Sequence, residues 1–273
     1  MTLAYLYWNP DSTLFTLPYF NHPVKWYGLC FMAGFLIGYY LILKPLKNHT
    51  NHPQKLADRL LWFVLLGTII GARLGHVFFY EPAAYLKSPL SILKIWEGGL
   101  ASHGGTVGVI LALLAFRFSS KKEAPNLTFL RICDLVAVPT ALVAFFIRLG
   151  NFFNQEILGT QTDIPWAVIF GAPFDGSLVV PRHPSQMYEG LAYLALFFFL
   201  WVMQKRNPPA GRMTGIFFIW VFFARFVIEY TKEVQVAIVD QSFLQMGQWL
   251  SIPFILLGLL MVLASKQLKA VDI

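Results

Sequence analysis

The chain has 273 residues, of which 57% are hydrophobic and only 13% charged, with a net charge of +7. Soluble domains carry about 25% charged residues, so the polar surface here is too small to wet a globular fold of this length. The positive balance reflects membrane topology and not a nucleic-acid partner, because the basic residues are segregated by loop.

In chain order, residues 8–25 are a short, polar-aromatic, proline-containing stretch expected at the outer interface. The opening MTLAYLYWNPDST lacks a basic n-region and apolar core, so the first span is expected to be its own insertion signal. Apolar blocks follow at 26–43, 60–80, 98–116, 132–149, 186–203, 213–230 and 246–264. Each has the length of about 18–21 residues that crosses a hydrocarbon core about 30 Å thick. Trp26, Tyr27, Tyr80, Trp96, Tyr188, Tyr230 and Trp249 near block ends fit an interfacial belt.

The charges alternate by loop. Lys44, Lys47, Lys55 and Arg59 follow the first block, Arg117, Lys121, Lys122 and Arg131 the third, and Lys205, Arg206 and Arg212 the fifth. Lys266 and Lys269 follow the seventh. The opposite loops are longer yet poorer, with Lys87 and Lys94, then Arg182, then Lys232. This bias places the N-terminus outside and the C-terminus in the cytoplasm. Residues 81–97, EPAAYLKSPLSILKIWE, are too short and too charged to span and are expected to form an interfacial helix or arm on the outer face. Residues 151–184, rich in Gly, Pro and Asp, are expected to form an outer cap. The predicted fold is all-α: a single polytopic membrane domain over 1–273, with seven transmembrane helices plus an outer-face cap and arm. Cys30 and Cys133 lack CxxC spacing and read as packing residues.

An arginine at mid-membrane costs at least roughly 2.5–3.5 kcal/mol on insertion scales, so polar residues inside the blocks need a reason. Arg73, Arg148 and Arg225 stand out, with His76, His103, Asn151, Asn154, Glu156, Glu189 and Glu229. Most fall in the outer half of their spans and are placed to converge on one polar chamber. Each also has a plainer reading. Arg225 and Glu229, four apart, can pair on one helix face. Arg73 either reaches outward, bonds backbone carbonyls or serves a ligand. His76 reads as a packed core histidine, and Asp134 as a solvated or capping residue. Arg148 has no acidic neighbour at helical spacing before Glu156, which favours a site. His103 is flanked by Gly98, Gly99, Gly104, Gly105 and Gly108; these allow either close approach of a ligand or tight packing of helices. In PRHPSQMYEG, residues 181–190, Ser185 or His183 is a candidate helix cap. That helix N-terminus either faces an anion or is an ordinary capped entry. The chain has no HExxH, GxSxG or GxxxxGK[ST] motif and no Asp-rich cluster, so metal-free chemistry without a cofactor is expected.

The motifs resemble those of the bacterial prolipoprotein diacylglyceryl transferases. The resemblance runs through HPVKWYGL (22–29), GARLGHVFFY (71–80), WEGGLASHGG (96–105), RLGNFFNQEILG (148–159), RHPSQMYE (182–189), ARFVIEY (224–230) and MGQWLSIP (246–253). It implies transfer of the diacylglyceryl group of phosphatidylglycerol to the lipobox cysteine thiol of a prolipoprotein, giving a thioether and glycerol phosphate. The reaction would take place at the outer face of the cytoplasmic (inner) membrane. By the resemblance, Arg148 and Asn151 serve the lipid headgroup, and Glu156 and Gly159 share their block. Tyr27 and His103 are essential positions, and Arg225 with Glu229 forms a second charged pair. Arg73 and Gly104 complete the expected substrate contacts. Two departures stand out. Gln155 replaces a glycine in the family's usual NGE, and Val221 to Phe223 lack a tyrosine often found before the sixth-span arginine.

Elementary chemistry suits that reaction. Two arginines can hold the phosphate, and a fixed cation helps most as charge grows on the leaving oxygen. A free thiol ionises near 8.5 and an imidazole near 6.5, so direct proton transfer is uphill by roughly 2.7 kcal/mol unless nearby arginines also stabilise the thiolate. His103 is expected either to act as that base or to orient the headgroup. The alternative function is an anion transporter or channel using the same arginines. An intramembrane protease needs a partnered serine, and Ser102 and Ser185 lack a convincing one.

Overall fold

The computed structural model describes residues 5–19, 21–233 and 244–271. Among them, seven helices are long and apolar enough to cross a membrane, and the protein is an all-α polytopic membrane protein. The spanning helices are α1 (Trp26–Leu46), α2 (Pro53–Phe79), α4 (Ser102–Ser120), α5 (Phe129–Phe153), α6 (Ser185–Gln204), α7 (Arg212–Ile228) and α8 (Met246–Val271); the short α3 covers Pro82–Lys87. The side chains of Lys266 and Lys269 lie outside the described residues. Large apolar side chains such as Leu36, Trp62, Leu66, Phe223 and Leu260 stand exposed on the spans, as a lipid solvent permits.

The apolar blocks locate the spans, but helix ends differ from block ends where polar residues continue a helix. Helix α2 begins at Pro53 and carries Lys55 and Arg59 in its first turns. Helix α4 begins at Ser102, four residues later than the apolar block, because Gly98 and Gly99 take φ of 91° and 69°, left-handed values that a helix cannot use.

The chain forms two compact units, residues 1–38 with 136–273, and residues 39–135. In the second, α2 and α4 touch backbone to backbone. A Cβ on Gly71 would lie 2.7 Å from the Cα of Gly108, and one on Gly75 would lie 2.6 Å from the Cα of Gly104. Gly67, Gly71 and Gly75 recur every four residues, which puts them on one helix face. The arm expected at 81–97 is present as α3 and two 3-10 turns, Pro89–Leu93 and Ile95–Glu97.

In the first unit, the cap between α5 and α6 contains strands that hydropathy did not predict. β1 (Leu6–Trp8) pairs parallel with β4 (Val168–Phe170), which pairs antiparallel with β5 (Pro181–Arg182). A separate hairpin joins β2 (Thr13–Leu17) to β3 (His22–Lys25). Under the sheet, Phe152, Leu158, Val168 and Phe170 form a small core, against which Trp8 and Met187 pack. The Trp8 indole donates to the Phe152 carbonyl at 3.0 Å. This fastens the N-terminal segment to the end of α5.

Candidate functional site

The first unit holds a chain of charged and amide groups joining α5, α6 and the end of α7. Glu189, on α6, is fully buried. One of its carboxylate oxygens pairs with Nε of Arg148 and the other with Nζ of Lys232 at 2.8 Å. Lys232 also pairs with Glu229 at 3.3 Å. Removing a carboxylate from water costs several kcal/mol unless it is paired, and here two cations offset that cost. The charge of Arg225 also reaches Glu189, and the Tyr193 hydroxyl sits beside Arg148. The two arginines thus flank one buried carboxylate.

Arg148 continues the chain in the other direction. Its Nη1 donates to Asn151 Oδ1 at 3.2 Å, and Asn151 Nδ2 donates to Glu156 Oε2 at 2.8 Å. Asn154 Nδ2 donates to the second Glu156 oxygen at 2.9 Å. Gln186 and Ser185 of α6 then bond the carbonyls of Glu156 at 2.6 Å and Ile157 at 2.8 Å. The turn is tight: Gln155 and Ile157 have φ of 53° and 56°. That explains the glycine of the family pattern at position 155. The Gln155 side chain leaves the charged chain, donating to Asn9 and accepting from the Ala172 N–H at 2.8 Å. The departure at 155 therefore affects the cap and not the headings of Arg148, Asn151 and Glu156.

Tyr27, on α1, packs on α5 where Gly150 leaves room. A Cβ there would lie 2.7 Å from the Tyr27 ring. The charges of Glu156 and Arg148 both reach the Tyr27 hydroxyl. The structure thus brings Tyr27, Arg148, Asn151, Glu156 and Arg225 around one network.

Other expectations are corrected. Arg225 does not pair with Glu229; Glu229 takes Lys232, and its carboxylate also lies against Gly247 at the start of α8. Neither Ser185 nor His183 caps α6, whose N-cap is Pro184, without a side-chain bond. His183 instead meets the Tyr188 hydroxyl at 3.2 Å, and burial pulls its pKa below the ordinary value. Gly159 sits at a crossing of backbones: its N–H donates to the His183 carbonyl at 3.1 Å and its carbonyl accepts from Arg182 at 3.2 Å. A side chain there would strike the Thr231 carbonyl, 2.7 Å away. Gly159 thus carries a structural task in this crossing.

The second unit holds Arg73, His76, His103 and Gly104. Arg73 is buried and directs every donor at the arm. Nε bonds the Ile92 carbonyl at 2.9 Å, Nη1 those of Gly98 at 2.6 Å and Gly99 at 3.1 Å, and Nη2 those of Ser91 at 2.5 Å and Lys94 at 3.3 Å. A guanidinium has five N–H groups, so none remains for a phosphate. Of the three readings open to Arg73, the structure shows carbonyl bonding. His76 stacks on Tyr80, with ring centroids 5.4 Å apart. Gly104 faces Gly71 and Gly75 across the helix seam and serves helix packing there. His103 opens the first turn of α4 and is exposed; the side chain of Ser102 lies outside the described residues. Among the described residues, no group of three or more His, Cys, Asp or Glu side chains could hold a metal ion.

Sequence reasoning missed the partnership of Lys232 with Glu189. Lys232 read as an isolated loop charge, and the 43 residues between the two carry no periodic signal. A lysine one turn past Glu229 was the available hint.

Fold and site together define a polytopic membrane protein that keeps a charged, hydrogen-bonded network inside its helices. Residues 13–264 match the family described as prolipoprotein diacylglyceryl transferase, and the chain belongs to that family. The chain is similar to the phosphatidylglycerol–prolipoprotein diacylglyceryl transferase of Tolumonas auensis, at 43% identity over 97% of this chain and 99% of the relative. It is 42% identical to that of Porphyromonas gingivalis, over 96% of each chain. For that of Protochlamydia amoebophila the identity is 40%, over 95% of each.

Proposed function

We propose that this chain transfers the diacylglyceryl group of phosphatidylglycerol to the lipobox cysteine thiol of prolipoproteins at the outer face of the bacterial inner membrane, with its N-terminus outside and C-terminus in the cytoplasm. The thiol loses its proton, sulfur forms a bond to the glyceryl carbon, and the carbon–oxygen bond to phosphate breaks. The electron pair leaves with glycerol phosphate.

The observation that carries this reading is the state of Arg148. It is half-buried and oriented by Glu189 and Asn151, yet no carbonyl takes any of its donors among the described residues. Its Nε is held by Glu189 and its Nη1 by Asn151, and a charge held in place serves most when the leaving oxygen becomes negative. Arg225 adds a second positive charge beside the same carboxylate. Asn151 and Glu156 set the position of Arg148 and offer polar atoms to the headgroup glycerol. Tyr27 closes this network from α1. Glu189 and Lys232 are positioning residues, acting through Arg148 and Glu229. His103 serves as the base for the thiol or as a headgroup contact.

The test is to mix purified protein with phosphatidylglycerol and a lipobox peptide and to weigh the peptide. The expected result is a diacylglyceryl mass increase, absent when serine replaces the peptide's cysteine. No increase with the native protein, or anion flux from liposomes in its place, overturns the reading. A single-turnover pH profile of the native protein against His103→Gln separates the two roles of His103; the same ionisation in both removes it as the base.

A further inference from the structure

At one end of the second unit, α1 stops and α2 begins around a cavity that the transfer reaction does not use. Leu46 is buried at the end of α1. The chain then turns through bonds from Lys47 to Lys44 and from His49 and Thr50 to Leu46, and Thr50 Oγ1 accepts the His52 N–H at 3.1 Å. Pro53 opens α2 without a side-chain cap. The cavity between the two helix ends measures about 450 Å³ and is lined by Tyr40, Leu43, Lys44, Lys47, Pro53 and Gln54.

Its chemistry is lopsided. Lys44 and Lys47 are both exposed, and neither is in an ion pair among the described residues. The nearby acid, Asp58, already accepts the Tyr39 hydroxyl at 2.5 Å. The first turn of α2 adds the positive end of its dipole; Pro53 has no N–H and the Leu56 N–H bonds the His52 carbonyl at 3.1 Å, so the lysines carry most of the attraction. Tyr40 and Leu43 line the apolar side, on a helix that spans the bilayer. Two cations and a helix N-terminus at the level where a span ends, with an apolar wall alongside, match a phosphate that carries acyl chains.

We propose that this cavity binds the headgroup of an anionic phospholipid, a site separate from the transfer site. The phosphate sits between Lys44, Lys47 and the first turn of α2, and the acyl chains run along Tyr40 and Leu43. In the orientation proposed above, the lipid belongs to the cytoplasmic leaflet. The 450 Å³ volume falls in the range of small-ligand sites, about 300–1,000 Å³.

The test is native mass spectrometry of the full-length protein in detergent, titrated with phosphatidic acid or phosphatidylcholine. The Lys44→Gln/Lys47→Gln variant should bind phosphatidic acid about thirtyfold more weakly than the native protein, the loss expected for two lysines at an anionic surface. Phosphatidylcholine binding should stay the same. The Lys121→Gln/Lys122→Gln variant makes the same charge change outside the cavity and should bind like the native protein. Arg148→Ala should retain the lysine-dependent phosphatidic acid binding. Equal weakening by both lysine pairs would reduce the effect to general surface charge and overturn the site. Displacement of the lipid by inorganic phosphate at equal concentration would assign the cavity to free phosphate and overturn the lipid. Monodisperse elution and native transfer rates in both variants show that they fold.

Discussion

Arg73, in the unit of residues 39–135, has every donor on a backbone carbonyl of the arm, whereas Arg148, in the other unit, has none on a carbonyl among the described residues and is held by Glu189 and Asn151. In the sequence both are arginines inside apolar blocks, with glycines nearby. Their environments separate them. Carbonyls saturate the donors of Arg73, and no carboxylate among the described residues pairs with it, which suits a clamp. Arg148 is held by a carboxylate through Nε and an amide through Nη1, with no donor on a carbonyl among the described residues, which suits a grip on an incoming anion. Burial of an arginine in a membrane protein is thus not enough to mark a site; the count of its uncommitted donors decides.

The largest effect that can break this contrast is Arg148→Ala. Transfer should fall by about a thousandfold, since removing one preorganised donor costs about 10²–10³ and Arg148 also orders Asn151. A rate near native in the mass-shift assay removes Arg148 from the site. Next comes Glu189→Gln, which leaves Arg148 and Lys232 without their shared carboxylate. Breaking a buried pair costs about 3–5 kcal/mol, so the melting temperature should drop and transfer should weaken, while Glu189→Asp should recover part of both. Unchanged stability would show that Glu189 does not neutralise the cations. Arg73→Lys is expected to act on the arm. Hydrogen exchange should rise over 81–99 with transfer within several-fold of native; loss of transfer with the arm still protected would make Arg73 a substrate contact after all. A smaller cost, about 1–3 kcal/mol, is expected for Gly108→Ala, because its Cβ would press on Gly71, 2.8 Å away. A melting temperature equal to native would show that the helix seam yields.

The smallest effect is a pH dependence at His49. Burial, and then the charge of Arg131, lower its pKa below the ordinary 6.5. The folded protein therefore favours neutral His49. That contribution is fully present above about pH 6.5 and is lost as the pH falls through the lower folded value. The native melting temperature should fall more than that of His49→Gln between pH 7.5 and 5. Parallel curves would show that His49 titrates alike in both states.

Much of the fold was legible because a bilayer demands long apolar helices. All seven spans followed from block length and composition. The strands β1, β4 and β5 did not, since runs of two or three residues carry no period and β1 pairs with β4 across about 160 positions of chain. Arg148, Asn151 and Glu156 were legible because they share one helix end and one turn. Lys232 was not, because its partner Glu189 lies on another helix. The saturation of Arg73 was hidden for a different reason: carbonyls accept hydrogen bonds at every residue, so no residue type in the arm announces them.

The most direct test sets the two arginines against each other with the charge preserved. Single-turnover transfer from phosphatidylglycerol to a lipobox peptide is measured for native, Arg148→Lys and Arg73→Lys proteins. A lysine ammonium cannot reproduce the planar fork that holds Glu189 and Asn151 and also meets a phosphate, so Arg148→Lys should lose about a hundredfold while Arg73→Lys stays within several-fold. Equal losses, or a larger loss at Arg73, would contradict the account.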